Sequence, residues 1–148
     1  LSDMGCSIVK HDDCLELTGG MLRGLDIDMN DIPDCVPTLA VVAAFAEGPT
    51  TIYNVEHLKY KESNRLHALA TELSRLGARV DLMNDGMTIT PRPLTGATIE
   101  TYNDHRIAMS FAIAGLRISD VRIANPMCVM KSFPNFWDEF TKLEREVT

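Results

Sequence analysis

LSDMGCSIV at residues 1–9 returns 72 positions later as LSRLGARV at residues 73–80, and this repetition decides the fold. Leu, Ser and Gly stand at the same places in both segments. Asn30-Asp31 and Asn103-Asp104 form a second pair, because an Ala-rich segment follows each. KES at 61–63 and KSF at 131–133 form a third pair. A spacing of about seventy residues exceeds that of common solenoid repeats, so we expect two or three units in one compact domain.

Each repeat has the pattern of a βαβαββ unit. The complete unit is predicted to have strands at 25–29 and 50–54, helices at 34–47 and 61–76, and a hairpin of strands 79–82 and 87–90. Asn84-Asp85-Gly86 suits the hairpin turn because these residues tolerate positive φ. The next unit is predicted to have strands at 97–101 and 120–124 and helices at 104–116 and 134–146.

The predicted helices are of two kinds. Residues 36–46 and 107–115 have almost no polar face, so both helices should be buried on all sides. Residues 61–76 carry one apolar stripe and should form a surface helix that ends at Gly77, a usual C-cap. The expected fold is α/β (α+β), with buried parallel helices and the sheets outside.

The repeats divide the chain into three parts. Residues 1–20 read as a hairpin that ends a preceding unit, with its turn at Asp12-Asp13. Residues 21–92 form a complete unit, and 93–148 form a unit without its closing hairpin. We therefore expect the chain to be a piece of a longer polypeptide.

Composition excludes several classes of protein. A formal net charge of −7 argues against general binding of nucleic acid or of anionic membranes. No apolar stretch is long enough to span a bilayer. Cys6 and Cys14 could face each other across a hairpin, but the spacing of Cys6, Cys14, Cys35 and Cys128 resembles no zinc site and favours reduced thiols in a cytoplasmic protein.

Charged side chains mark the predicted helix starts. They are Asp34, Lys61, Glu62, Arg65, His105 and Arg106, and Lys131 precedes the last helix. Helix N-termini attract anions, and cations there oppose the helix dipole. Because a fold seldom repeats that placement for structural reasons, we predict that the cations line a strongly cationic pocket for phosphate and carboxylate groups.

Each of these residues also has a structural interpretation. Lys61 and Arg65 could form a solvated face with Glu62, and Asp34 is a natural N-cap. His105 could be a buried, hydrogen-bonded histidine. Arg106 could pair with a neighbouring carboxylate, and Lys131 could lie at the surface.

Four sequence blocks resemble the signature of the EPSP synthase family of enolpyruvyl transferases. They are DMNDIPD at 28–34, KESNRL at 61–66, YNDHRIAM at 102–109 and KSFP at 131–134. The resemblance covers essentially the whole chain. It implies transfer of the enolpyruvyl group from phosphoenolpyruvate to the 5-hydroxyl of shikimate 3-phosphate by addition and elimination, with release of phosphate and without a metal or cofactor. This is a step of the shikimate pathway to chorismate and the aromatic amino acids.

The resemblance also implies roles for individual residues. Asp34 would be the base toward the 5-hydroxyl, Lys61 would contact the shikimate side, and Glu62 would transfer a proton to and from the phosphoenolpyruvate methylene. Arg65, Arg106 and Lys131 would hold phosphoenolpyruvate, with His105 in a supporting role. His57 stands where the family often has Asn.

The family's N-terminal region, which supplies the rest of the grip on shikimate 3-phosphate, is a further expected partner. We therefore expect no turnover from this chain alone, and a monomeric parent enzyme that binds neither nucleic acid nor membrane. Two alternatives are the related enolpyruvyl transferase that uses UDP-N-acetylglucosamine, and a non-catalytic anion-binding or scaffold domain of the same fold.

Overall fold

The computed structural model describes residues 1–147, and Thr148, the end of the predicted third part, lies outside the described residues. The strands are β1 (Ser7–Lys10), β2 (Leu15–Thr18), β3 (Asp26–Asp28), β4 (Thr50–Tyr53), β5 (Arg79–Leu82), β6 (Met87–Thr90), β7 (Thr98–Ile99) and β8 (Arg122–Ile123). The α-helices are α1 (Val36–Ala43), α2 (Arg65–Leu76), α3 (His105–Ala114) and α4 (Phe136–Val147), and short 3₁₀ turns lie at Pro33–Cys35, Glu56–Tyr60 and Pro126–Lys131. None of the helices that residues 1–147 form is long and apolar enough to cross a membrane.

The largest sheet has the strand order β3-β4-β6-β5. β3 and β4 are parallel, as their connection through α1 requires, and the other neighbours are antiparallel. The β5–β6 hairpin has the predicted bounds. β7 and β8 repeat the parallel pair on either side of α3. The order from β3 to β6 is therefore β-α-β-α-β-β, as the sequence pattern predicts.

α1 and α3 pack against each other through equivalent positions of the repeat. Thr38 Oγ1 lies 3.1 Å from Ser110 Oγ, and the two residues are 72 positions apart. The prediction that both helices are buried on all sides is wrong for one face. Val42 is half-buried and Ile113 is exposed where the helices border a groove of about 480 Å³. The described residues leave this face uncovered.

α2 is the predicted surface helix, but it begins four residues later than expected. Asn64 Oδ1 accepts a hydrogen bond from His67 N at 3.1 Å, so Asn64 caps the helix. The predicted start at Lys61 is wrong, because Lys61 has extended backbone just before this cap. Gly77, with φ 111, is the predicted C-cap.

All four cysteines are free, as the sequence predicts. Cys14 lies in the β1–β2 turn, where its carbonyl accepts a hydrogen bond from His11 N at 2.9 Å. Cys14 therefore stands opposite His11, so Cys6 and Cys14 do not face each other across the hairpin.

Candidate active site

Arg65, the first residue of α2, is the centre of the candidate site. Its side chain is only 1% exposed, and its guanidinium donates hydrogen bonds to three carboxylates. Nε donates to Asp104 Oδ2 at 2.8 Å, Nη1 to Asp34 Oδ1 at 2.9 Å, and Nη2 to Glu62 Oε2 at 2.7 Å. Burial alone would lower the pKa of Arg65, but the carboxylates, Asp104 foremost, raise it and keep the guanidinium charged. The interpretation of Arg65 as part of a solvated face is therefore wrong.

Asp34 connects Arg65 to a second arginine. Arg106 Nη2 donates to Asp34 Oδ2 at 3.0 Å, and Arg106 Nη1 donates to the backbone oxygen of Asp34 at 3.1 Å. Asp34 lies in the 3₁₀ turn before α1, and its side chain makes no capping hydrogen bond there. The prediction that Asp34 is an N-cap is thus wrong, because both carboxylate oxygens point to arginines instead.

Asp104 is the carboxylate for which the sequence suggested no role. It is completely buried and caps α3, since its Oδ1 accepts a hydrogen bond from Arg106 N at 2.9 Å. Ser63 Oγ donates to Oδ2 at 3.0 Å. Burial alone would raise the pKa of Asp104, but hydrogen bonds from Arg65, from Arg106 N and from Ser63 lower it. An Asp directly before an apolar helix is a favourable N-cap, and this signal could have identified it.

Lys131 brings a third segment of chain to the cluster. Its Nζ lies 3.5 Å from Glu62 Oε1, while Glu62 Oε2 binds Arg65. A hydrogen bond from its own backbone N–H lowers the pKa of Glu62; partial burial opposes this, and the charge of Arg65 lowers the pKa further. Glu62 is therefore ionised at neutral pH. The Lys131 side chain is 52% exposed and so remains accessible to a ligand.

His105 is the first residue of α3, as predicted. Its ring is buried, and its Nδ1 has no hydrogen-bond partner among the described residues. Asp104 Oδ1 lies 3.8 Å away, beyond hydrogen-bonding distance, so the expected hydrogen bond is missing at this nitrogen. Burial lowers the pKa of His105; Asp104 opposes this, and Lys131 and Arg106 lower the pKa further. The imidazole is therefore neutral at pH 7.

Lys61 and His57 stand apart from this network. Lys61 is exposed and His57 is half-buried. Neither takes part in the hydrogen bonds or ion pairs that the side chains of residues 1–143 form with one another. The predicted residues that the structure joins directly are Asp34, Glu62, Arg65, Arg106 and Lys131.

The charges of the cluster are balanced, which corrects the expectation of a strongly cationic pocket. The cluster has three cations and three carboxylates, because a buried guanidinium needs counterions. The cations are Arg65, Arg106 and Lys131, and the carboxylates are Asp34, Glu62 and Asp104. Asp34 and Glu62 are 48% and 36% exposed, whereas Asp104 is fully buried. An incoming anion could therefore replace Asp34 or Glu62 on the cations, and the displaced carboxylates could then accept or donate protons. Among residues 1–143, whose side chains the structure describes, no group of three or more His, Cys, Asp or Glu side chains could hold a metal ion.

Comparison with known proteins gives a consistent result. The family model "EPSP synthase (3-phosphoshikimate 1-carboxyvinyltransferase)" matches residues 1–140. A 3-phosphoshikimate 1-carboxyvinyltransferase of Nostoc punctiforme is 50% identical over 144 residues, which are 97% of this chain and 34% of that protein. One of Methanoculleus marisnigri is 49% identical over 140 residues, or 93% of this chain and 33% of that protein. The chain thus spans about a third of the length of these curated relatives.

Solved structures give the class of the fold. An EPSP synthase from Acinetobacter baumannii superposes with a TM-score of 0.88 and 30% sequence identity, over 97% of this chain and 37% of that one. The enolpyruvyl transferase NikO from Streptomyces tendae has a TM-score of 0.69 over 96% of this chain and 33% of that one, and at 22% identity it supports the fold alone. The fold is that of an enolpyruvyl transferase. The chain belongs to the EPSP synthase family.

Proposed function

We propose that the polypeptide containing this chain transfers the enolpyruvyl group of phosphoenolpyruvate to the 5-hydroxyl of shikimate 3-phosphate and releases phosphate. The observation that carries the proposal is the convergence of Arg65, Arg106 and Lys131 on the shared carboxylates Asp34 and Glu62. The three cations come from three separate segments, and guanidinium groups suit the carboxylate and phosphate of phosphoenolpyruvate.

Asp34 is proposed to start the reaction. As the 5-hydroxyl oxygen bonds to C2 of phosphoenolpyruvate, Asp34 accepts the hydroxyl proton and Glu62 donates a proton to the methylene carbon. The C2–O bond to phosphate then breaks with its electron pair on the phosphate, and Glu62 recovers a proton from the new methyl group. Lys61 is assigned to the shikimate side, and His105 to a supporting role beside Arg106.

The acid role of Glu62 requires a change on substrate binding, because Glu62 is ionised in this structure. Phosphoenolpyruvate would compete with Glu62 for Arg65 and Lys131 and would add negative charge beside it. Both effects raise the pKa of a carboxyl group. We therefore expect Glu62 to become an acid only when phosphoenolpyruvate occupies the site.

The chain supplies only part of the proposed enzyme. We assign residues 1–20, 21–92 and 93–148 to the end of one unit, a complete unit and an unclosed unit, and the element order from β3 to β6 supports the middle one. The remaining region of the polypeptide is proposed to complete the shikimate 3-phosphate site. We expect a monomeric cytoplasmic enzyme, with this chain alone showing no turnover and at most weak anion binding.

Phosphate release by the full-length protein tests the proposal. With both substrates present we expect turnover, and we expect Asp34→Ala and Arg106→Ala each to lower kcat/KM by about 10²–10⁴-fold. Asp81→Ala, in an exposed pair with Arg79, is a control that should keep full activity. Unchanged rates in both site variants would show that the roles are wrong. Turnover with UDP-N-acetylglucosamine as the only effective acceptor would instead favour the related transferase, and no turnover with either acceptor would favour a scaffold.

A further inference from the structure

The turn that leads into α3 has a strained backbone. Asp104 N donates to the carbonyl of Thr101 at 2.8 Å, which closes a turn over residues 101–104. Its two central residues, Tyr102 and Asn103, have φ of 53 and 55. Positive φ at both central positions is typical of Gly, Asn and Asp, so a tyrosine there needs support from its surroundings.

Glu72 supplies that support from α2. Its side chain is completely buried, and its Oε1 accepts a hydrogen bond from Tyr102 Oη at 2.8 Å. The other oxygen, Oε2, accepts from Glu100 N at 3.1 Å and lies 3.4 Å from Arg75 Nη1. Burial and then Glu72 raise the pKa of Tyr102, so the hydroxyl keeps its proton and remains a donor. The Glu72 carboxylate thus accepts one hydrogen bond from Glu100, just before the turn, and one from Tyr102, within the turn.

α2 therefore holds the segment before α3 at two points. Arg65 binds Asp104 at the end of the turn, and Glu72 binds Tyr102 within it. Arg65 and Glu72 are seven residues, or two helical turns, apart and so lie on one face of α2. Arg106, whose backbone N–H donates to Asp104, follows directly and reaches Asp34. The place of the Arg106 guanidinium thus depends on the conformation of the turn.

We propose that Glu72 and Tyr102 are positioning residues of the active site: the buried carboxylate holds the strained turn through the tyrosine hydroxyl and thereby fixes Arg106 for phosphoenolpyruvate. This inference rests on the proposed function for its substrate, but not for the contact between Glu72 and the turn. A loosened turn should weaken the grip on phosphoenolpyruvate more than the chemistry itself.

Tyr102→Phe in the full-length enzyme is the main test, because it removes the hydroxyl and keeps the ring. We expect KM for phosphoenolpyruvate to rise about tenfold, with KM for shikimate 3-phosphate unchanged and kcat changed by less than about threefold. Tyr53→Phe is the matched control: Tyr53 is 40% exposed and Tyr102 39%, and the Tyr53 hydroxyl makes none of the hydrogen bonds found among the described residues. Tyr53→Phe should change neither constant.

Hydrogen–deuterium exchange of a peptide covering residues 100–108 gives a readout that needs no activity. We expect faster amide exchange in Tyr102→Phe than in Tyr53→Phe or the wild type. If the wild type turns over while Tyr102→Phe matches it in KM and exchange, the positioning role is overturned and the proposed function stands. If the wild type is inactive, the proposed function fails, and amide exchange alone tests the contact between Glu72 and Tyr102. Faster exchange in Tyr102→Phe than in the wild type supports the contact, and unchanged exchange overturns it.

Variants of Glu72 distinguish a positioning role of this residue from a general role in the stability of the fold. Glu72→Gln keeps an acceptor for Glu100 N, and its amide can donate to the tyrosine oxygen, so it should retain most of the phosphoenolpyruvate affinity that Glu72→Ala loses. Equal losses in the two variants, or equal rises of KM for both substrates, would mean that Glu72 only stabilises the fold, which contradicts the proposal.

Discussion

Arg65 and Lys131 belong to the same cluster and carry the same charge, but their surroundings are opposite. Arg65 is 1% exposed and bound to three carboxylates, whereas Lys131 is 52% exposed and has one carboxylate oxygen at 3.5 Å. A buried cation with counterions holds its surroundings together, and an exposed one remains accessible to a ligand. Cations of one cluster can therefore have different roles: Arg65 holds the cluster together, and Lys131 remains accessible to a ligand.

Removal of the buried cation should have the largest effect on stability. Arg65→Ala leaves Asp104 charged, buried and without its main partner, so we expect a loss of about 3–5 kcal/mol in the free energy of unfolding. Chemical denaturation of the full-length protein measures this loss. Lys131→Ala is the control and should cost less than about 1 kcal/mol, since exposed ion pairs contribute little. Equal losses in the two variants would remove the distinction between the two cations.

A smaller effect should appear in the pH dependence of stability. The pKa of Asp104 is below its ordinary value of 3.8 in the folded protein, so its contribution to stability is present above that pH and is lost as the pH falls toward the folded value. The difference in unfolding free energy between wild type and Asp104→Asn should therefore be largest above about pH 4 and narrow below it. Denaturation between pH 3 and pH 7 tests this.

Asp81→Asn is the matched control for the pH series, because Asp81 forms an exposed pair with Arg79. The unfolding free energy of Asp81→Asn should differ little from that of the wild type at every pH of the series. The lowered pKa of Asp104 would be contradicted if the difference in unfolding free energy between the wild type and Asp104→Asn stayed constant from pH 3 to pH 7.

Local features of the fold followed directly from the sequence. The β5–β6 hairpin has its predicted bounds, although none of Asn84, Asp85 and Gly86 takes the positive φ expected of its turn. α2 ends at Gly77 because glycine readily takes the left-handed conformation. The start of α2 was wrong because Asn64, rather than a residue before Lys61, caps the helix.

The sequence predicted that several of the charged residues come together, but not how they are connected. Repeat spacing and sequence motifs predicted that Asp34, Glu62, Arg65, Arg106 and Lys131 lie close together, as they do, but they gave no indication that Arg65 is buried. Its burial depends on Asp104, which is 39 positions away in sequence and whose role as its counterion is a tertiary property. The same holds for Glu72, which looks like an ordinary helix residue until the chain brings it 2.8 Å from Tyr102 Oη.

Equilibrium binding of phosphoenolpyruvate tests most directly whether the exposed cation serves a shared anion site. The full-length protein should be titrated with phosphoenolpyruvate by calorimetry in the absence of shikimate 3-phosphate, so that no turnover occurs, as wild type, as Lys131→Met and as the control Lys142→Met, which alters an exposed lysine of α4. The account predicts that Lys131→Met weakens phosphoenolpyruvate binding about tenfold or more and that Lys142→Met does not. Unchanged affinity in Lys131→Met would contradict it.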